Sequence, residues 1–478
     1  MVFSSLEFLF LYLPVTLIAY FAVPPKYLKW RNVVLFVVSL IFYGWGERIY
    51  VWLMLGSIIL SYLCGLGIDK YKNCPEQTDR TRRLAKFYMI LAVVINISIL
   101  GFFKYYDFFV TNLRLIPGLQ NLPLLGLSLP IGISFYTFQI LSYDLDLYMG
   151  NAKVQYNIAS FGAYVTLFPQ LIAGPIVRYQ DVDDMLRERN ENVALMASGL
   201  RTFIAGFGKK ILLANTAGAL WDSFKNVPAD ERTVVGCWLG IVFYTFQIYF
   251  DFSAYSDMAI GLGKVFGFKF LENFNYPYIA KSITDFWRRW HMSLSTWFRE
   301  YIYFPLGGSR TTTLKTYRNL FIVWFCTGFW HGASWNYIIW GLYYFVLLVI
   351  EKTFLLKRLQ KAPAWMQHVY TLFFVFFGWL IFVFEDSAAG WVWLTNMFGV
   401  NTVAFISMAN VYDILRNLVF IAIMCIAATP HPRNFFYRLY EKSAAARTCF
   451  ACASFGILVL GVAYLVDSSF NPFLYFRF

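Results

Sequence analysis

Long apolar runs recur from one end of the chain to the other, and they constrain the fold more than any other feature. They lie at 8–23, 33–46, 50–68, 87–103, 157–176, 234–252, 320–330, 337–350, 369–384, 404–428 and 449–466. Several approach the ~20 residues that a helix needs to cross the hydrocarbon core of a membrane. Others are short or broken by Gly and Pro, which is typical of re-entrant or tilted pieces buried in protein. The sequence therefore predicts an all-α polytopic membrane protein with roughly 11–13 transmembrane or re-entrant helices.

Composition supports a membrane-embedded class and argues against nucleic acid as a partner. The chain is 59% hydrophobic and 14% charged, whereas soluble domains are usually about 45–50% apolar and about 25% charged. The net charge of +13 falls mainly in short loops between apolar runs, as the positive-inside rule describes. Cys449 and Cys452 form a C-x-x-C without a second pair, so no metal site is predicted. The expected surroundings are membrane lipid, with no nucleic-acid partner.

The basic loops also predict an orientation. Lys26, Lys29 and Arg31 follow the first apolar run, so this loop is predicted to be cytoplasmic and the N-terminus extracytoplasmic. Further basic clusters occur at 69–86 and 433–447. The second of these precedes the last apolar run, which places the C-terminal tail outside as well.

His331 is the residue most suggestive of chemistry. It lies in the apolar stretch 328–335, where a titratable group is costly and therefore more often functional than incidental. Imidazole accepts and returns a proton near neutral pH. If residues 319–335 rise from the cytoplasmic face, His331 lies roughly 18–20 Å above Arg318, near the middle of the membrane. The alternative is a histidine that only packs within a helix.

A second histidine lies in a stretch rich in Arg and Trp. The spacing of Trp287, Trp290 and Trp297 predicts one face of a helix. One interpretation is an amphipathic interfacial helix, with Trp at the headgroup level and Arg reaching towards water. The other is a cationic, aromatic-lined site for a phosphate-bearing ligand, since Arg binds phosphate bidentately. The candidate residues are His291 as a chemical group and Trp287, Arg288, Arg289, Trp290 and Ser293 as ligand-binding groups.

Polar side chains interrupt the apolar run upstream of these two histidines. They are Asp251, Ser253, Tyr255 and Asp257. Buried polar groups need partners, and we expect a central polar reaction tunnel to supply them.

Seven segments, taken together and in order, resemble one family. They lie at 130–139, 168–176, 249–263, 272–275, 287–295, 305–308 and 330–332. The chain resembles the membrane-bound O-acyltransferase family, and within it the bacterial alginate O-acetyltransferase, AlgI-like branch. The segments span 130–335 and have compatible apolar runs on either side.

The resemblance implies an enzyme of the bacterial cytoplasmic (inner) membrane. It would pass acetyl groups from cytoplasmic acetyl-CoA towards an exported polysaccharide such as alginate, through a periplasmic or extracellular O-acetyltransferase partner protein. Peptidoglycan O-acetylation and D-alanyl-type transfer are the alternatives within the family. His331 matches the catalytic histidine and His291 a second essential residue. His291, or donors near it, would orient the thioester or stabilise developing charge. The organisation expected is N-terminal helices at 1–128, a catalytic core at 129–351, and C-terminal helices with an aromatic tail at 352–478.

The tail at 468–478 has two interpretations. An aromatic anchor at the membrane interface is one. The other is that Tyr475 enters the tunnel and carries the acetyl group, because related D-alanylation systems use a C-terminal peptide that bears a tyrosine.

Two other functional classes stay open at this point. A transporter or flippase would also need buried polar groups near the midplane, but it usually shows repeat symmetry. A structural scaffold for a secretion complex would need no catalytic histidine. Release of thiol from acetyl-CoA, lost on substitution of His331, would favour the enzyme over both.

Overall fold

The computed structural model describes residues 2–467, and their regular secondary structure is helical apart from an isolated bridge between Thr233 and Ala404. The predicted all-α class is confirmed. In chain order the helices are α1 (Leu13–Ala22), α2 (Leu28–Gly46), α3 (Tyr50–Lys72), α4 (Asp79–Leu113), α5 (Ile133–Met149), α6 (Ile158–Thr166), α7 (Phe168–Leu171), α8 (Tyr179–Arg187), α9 (Val193–Gly208), α10 (Asn215–Lys225), α11 (Val234–Val265), α12 (Ile283–Trp287), α13 (Met292–Phe298), α14 (Thr313–His331), α15 (Trp335–Ile350), α16 (Leu356–Leu359), α17 (Ala364–Val383), α18 (Ser387–Met397), α19 (Met408–Ala427), α20 (His431–Lys442) and α21 (Ala444–Asp467).

Eight helical stretches in the described part of the chain are long and apolar enough to cross a membrane. They are Pro25–Gly46, Tyr50–Lys72, Asp79–Leu113, Val234–Val265, Trp335–Leu359, Ala364–Val383, Met408–Ala427 and Ala444–Asp467. The apolar run at 157–176 forms instead the two short helices α6 and α7, which are buried for most of their length. Such short buried pieces are tolerated in a membrane protein where other protein segments surround them. The chain is a multi-pass membrane protein.

One compact unit contains the described residues up to Phe203, together with Ser256–Leu271. Within it α3, α4 and α5 pack against one another, and α6 packs against α2. Buried amides join these helices. Asn96 donates to the Ser61 hydroxyl at 3.0 Å, and Asn32 donates to the Ser160 hydroxyl at 2.9 Å.

Arg31 belongs to this unit, and its position differs from the one the loop pattern predicts. It lies on α2, is 3% exposed, and forms an ion pair with Glu191. Tyr20 donates to the same carboxylate. A buried cation with a carboxylate partner is part of the packing, so Arg31 is no guide to the side of the membrane, whereas Lys26 and Lys29 are exposed.

The second unit contains Ile204–Tyr255 and the described residues from Glu272 onwards. Its centre is an antiparallel hairpin of α14 and α15, as the two apolar runs predict. The helices cross very closely, because a Cβ added at Gly328 would collide with the Tyr337 carbonyl oxygen, and one at Gly341 with the Trp324 carbonyl oxygen. Helices α12 and α17 pack against α15. This hairpin places His331 at its turn.

Candidate active site

His331 is the last residue of α14 and is 3% exposed. Aromatic rings surround its imidazole. The ring centroids of Trp330, Trp340 and Phe382 lie 5.0, 4.9 and 5.3 Å from that of His331. These rings come from α14, α15 and α17, so the packing of three helices sets the position of the histidine and keeps its surroundings dry.

Asn336 fixes the position of Phe382, one of the three rings around His331. It is buried at the start of α15, and its amide nitrogen donates to the Phe382 carbonyl oxygen at 3.1 Å. This bond ties the hairpin turn to the end of α17 and holds Phe382 against His331.

His291 occupies a break in the chain where the sequence pattern predicts a continuous helix. That prediction is wrong: α12 ends at Trp287, α13 begins at Met292, and His291 has φ 45° and ψ 54°. This left-handed conformation is uncommon for a residue with a Cβ and persists only where neighbouring contacts impose it. The Met292 amide donates to the Asn273 carbonyl oxygen at 2.9 Å, so the segment before α12 imposes the break.

Asn273 also determines which ring nitrogen of His291 carries the proton. Its side-chain oxygen accepts from the Ser293 main-chain N–H at 3.2 Å and from the Ser293 hydroxyl at 2.9 Å. Because a main-chain N–H can only donate, this Asn273 atom is the acceptor oxygen. His291 Nδ1 lies 3.0 Å from the same oxygen, and we therefore assign the proton to Nδ1.

The other nitrogen of His291 is consequently an acceptor. Burial lowers the pKa of His291 to about 3, which keeps the imidazole neutral at pH 7. Its Nε2 is buried and has no hydrogen-bond partner among residues 2–467. Neutral His291 thus presents a lone pair, and it cannot donate a hydrogen bond from Nε2.

Trp330 lies against both histidines. Its ring centroid is 6.0 Å from that of His291 and 5.0 Å from that of His331. Phe252 of α11 closes another side of His291, at 4.7 Å between centroids. The structure therefore brings the two predicted chemical residues to one aromatic neighbourhood.

The predicted ligand-binding residues divide into a buried and an exposed part. Trp287 packs edge to face against Trp324, at 4.7 Å between centroids, and Trp290 packs against Trp379 at 4.6 Å. Ser293 is buried beside His291, as described above. On the surface, Arg288 is exposed, and Arg289 is partly exposed and pairs with Asp285 at 2.9 Å. The role of these residues in ligand binding stays a prediction.

The polar run on α11 finds a partner within the protein. Asp251 is buried and forms an ion pair with Lys210 at 2.7 Å, and the Ser253 hydroxyl lies 3.5 Å from the Lys209 ammonium. Tyr255 is buried as well. Asp257, one of the predicted tunnel residues, is partly exposed and lies on the portion of α11 that belongs to the first unit.

Lys210 was not predicted from the sequence. It lies in the π-helical turn Lys209–Ala214, and such turns occur often at functional positions. Two adjacent lysines within an otherwise apolar stretch could have indicated a buried partner for Asp251.

Glu351 is a second group that sequence reasoning missed. It is 1% exposed and accepts from the main-chain N–H groups of Ile283 and Thr284 at 2.7 and 2.8 Å, and from the Thr284 hydroxyl at 2.6 Å. The carboxylate thereby fixes the start of α12, and the end of α12 leads directly to His291. Glu351 acts on the site through the position of this helix. Tyr475 lies outside the described residues, and its role as a carrier stays a prediction.

Comparison with known proteins identifies the family. The model of the membrane-bound O-acyltransferase family matches residues 39–388. The chain is 43% identical to the probable alginate O-acetylase AlgI of Pseudomonas aeruginosa, over 84% of this chain and 76% of that protein. It is 37% identical to the same-named protein of Pseudomonas putida over the whole of both chains. It is also 32% identical to the peptidoglycan O-acetyltransferase of Helicobacter pylori, over 100% of this chain and 98% of that protein.

The chain belongs to the membrane-bound O-acyltransferase family. It is a membrane-embedded acyltransferase, and the matched region contains both histidines with the hairpin that positions His331.

Proposed function

We propose that this enzyme takes acetyl groups from cytoplasmic acetyl-CoA and passes them across the inner membrane towards an exported polysaccharide such as alginate. The observation that carries the proposal is His331, buried among aromatic rings at the turn of the α14–α15 hairpin within the matched region. The relatives named alginate O-acetylase support the choice of acetyl group and acceptor.

His331 acts as the general base. It takes the proton from an attacking hydroxyl, whose oxygen adds to the thioester carbonyl carbon. When the tetrahedral intermediate collapses, the carbon–sulfur bond breaks and the imidazolium returns the proton to the departing thiolate. Proton transfer of this kind contributes about 10²–10⁴-fold to a rate.

His291 binds a reacting group by accepting a hydrogen bond at Nε2. Asn273 holds the Nδ1 proton, so the acceptor is fixed before substrate arrives. An attacking hydroxyl or an amide of the donor's pantetheine arm would suit this acceptor.

The cationic part of the site faces the donor's phosphates. Arg288 is exposed, and Arg289 lies beside it. Both can bind phosphate bidentately, while Trp287, Trp290 and Ser293 belong to the buried side. A tunnel from the cytoplasmic to the extracytoplasmic face of the membrane would pass close to the Asp251–Lys210 pair. In this proposal acetyl-CoA binds from the cytoplasm and both chain termini are extracytoplasmic, as the basic loops predict. A periplasmic O-acetyltransferase, or Tyr475 as a carrier, would receive the acetyl group outside.

The test is thiol release from acetyl-CoA by the purified protein in lipid nanodiscs, with the partner O-acetyltransferase and alginate oligosaccharide supplied as the hydroxyl acceptor. We expect wild-type protein to release thiol and His331→Ala to release none above background while eluting as a folded species. Thiol release that persists in folded His331→Ala would overturn the assignment. A protein that moves a polar solute across vesicles without thiol release would be a transporter instead.

A second acceptor is supported by one observation, the full-length similarity to a peptidoglycan O-acetyltransferase. An experiment in cells distinguishes the two acceptors. Deletion of this chain should remove ester-linked acetate from the exported polysaccharide and leave that of peptidoglycan unchanged, and the reverse result would assign the enzyme to peptidoglycan.

A further inference from the structure

Trp340 is a neighbour of His331 whose indole N–H, a hydrogen-bond donor, is buried. Its indole is 1% exposed, and its ring stands at 83° to the imidazole with 4.9 Å between centroids. Its Nε1 is buried and has no hydrogen-bond partner among residues 2–467. An unmet buried N–H costs free energy, so this donor calls for an explanation.

The proposed reaction needs such a donor. Attack on a thioester carbonyl places negative charge on its oxygen, and donors that are already in position stabilise that charge most in a dry site. His291 cannot supply this hydrogen bond, because its proton lies on Nδ1 and is bound to Asn273. A donor close to His331 is therefore missing from the mechanism.

We propose that the Trp340 indole N–H donates to the thioester carbonyl oxygen and stabilises the oxyanion that forms there. The inference rests on the proposed function. As His331 removes the hydroxyl proton and the new oxygen–carbon bond forms, the carbonyl π electrons move to the oxygen that Trp340 binds. They return when the carbon–sulfur bond breaks and the thiolate takes the proton from the imidazolium.

The ring of Trp340 is held rigidly, as an oxyanion donor must be. Trp287 and Phe382 pack against it at 5.4 and 5.3 Å between centroids, and Tyr344 at 5.3 Å. The next residue, Gly341, lies at the close crossing of the hairpin. The indole therefore needs little rearrangement when the charge develops.

Trp393 offers a matched control. It is also 1% exposed and its Nε1 likewise has no partner among residues 2–467, but its ring packs against Trp221 and Phe384. Loss of its N–H tests the general effect of removing a buried indole donor from this protein.

The experiment compares wild-type protein, Trp340→Phe, Trp393→Phe, and a protein with 3-benzothienylalanine at position 340, which keeps the ring shape and lacks the N–H. Thiol release from acetyl-CoA and acetyl transfer to alginate oligosaccharide, with the partner O-acetyltransferase present, are measured in nanodiscs across a pH series. We expect both changes at position 340 to lower kcat by about 10²–10³-fold, with a much smaller change in KM and an unmoved midpoint of the pH–rate profile. Trp393→Phe should keep kcat within about twofold of wild type, the scale of a change that removes no transition-state contact.

Three outcomes would overturn the inference. The first is that both variants at position 340 have the same kcat as Trp393→Phe. The second is full activity with benzothienylalanine when Trp340→Phe is inactive, which would assign Trp340 to packing. The third is an unchanged maximal kcat with a displaced pH midpoint, which would mean that the ring only tunes His331. Wild-type protein without thiol release would overturn the proposed function and this inference together, whereas activity that depends on His331 but not on Trp340 would overturn the inference alone.

Discussion

The surroundings of the two histidines are built in opposite ways. His331 is held by rings from three helices at the turn of a hairpin. His291 is held by hydrogen bonds to Asn273 at a break between two short helices. Aromatic rings exclude water from His331, whereas the amide network fixes which nitrogen of His291 carries the proton. The contrast fits the proposed mechanism, in which His331 moves a proton and His291 is a fixed acceptor.

The largest expected effect on kcat comes from substitution of His331, the proposed general base. His331→Gln should lower kcat for thiol release by about 10²–10⁴-fold, the usual contribution of a general base. The aromatic walls should keep the variant folded, which size-exclusion chromatography and thermal unfolding can check. A kcat near that of wild type would show that His331 only packs within the hairpin.

Asn273→Ala removes the hydrogen bond that orients His291. We expect a decrease in kcat of about 10–100-fold, by analogy with the loss of groups that orient metal-bound side chains. The control is Asn275→Ala, since Asn275 is exposed in the same segment and its main chain makes the contact to Arg289. Equal activities of the two variants would mean that the orientation of His291 is unimportant.

Glu351→Gln tests whether α12 depends on its buried carboxylate cap. Hydrogen bonds to a charged acceptor contribute about 1.5–3 kcal/mol each, so the variant should unfold at a lower temperature and lose activity together. Glu385→Gln, on an exposed residue, should leave the unfolding temperature unchanged. A Glu351→Gln protein as stable as that control would contradict the capping role.

The smallest effect concerns pH. His291 stays neutral in the folded protein because burial lowers its pKa, whereas in the unfolded chain it binds a proton below about pH 6.5. The unfolded state therefore binds more protons, and this residue's contribution to stability is complete above about pH 6.5 and is lost as pH falls towards 3. The loss is at most about 1.4 kcal/mol per pH unit.

Unfolding temperatures from pH 8 to pH 5 measure this slope. His291→Asn removes the titrating group and should flatten the decline. An identical decline in wild type and variant would assign it to other residues.

Much of this arrangement could be predicted from the sequence. The apolar runs predict the helix class and the α14–α15 hairpin, and His331 stands out because a titratable side chain is rare in such a run. What the sequence does not contain is the break at His291: the Trp spacing indicates one helix, and no Gly or Pro marks the left-handed residue. The break comes from Asn273, a contact across 18 positions that no local periodicity reports. The roles of Lys210 and Glu351 could not be predicted for the same reason, since their partners lie far away in the chain.

The glycine crossing of the hairpin has a consequence for the fate of the acetyl group. Gly328 lies one helical turn before His331, and Gly341 directly follows Trp340. A methyl group at either position would push α14 and α15 apart next to His331 and admit water. Water is itself a nucleophile, so under the proposed function a loosened hairpin would hydrolyse acetyl-CoA. On that proposal, the distance between the two helix backbones sets the balance between acetyl transfer and hydrolysis.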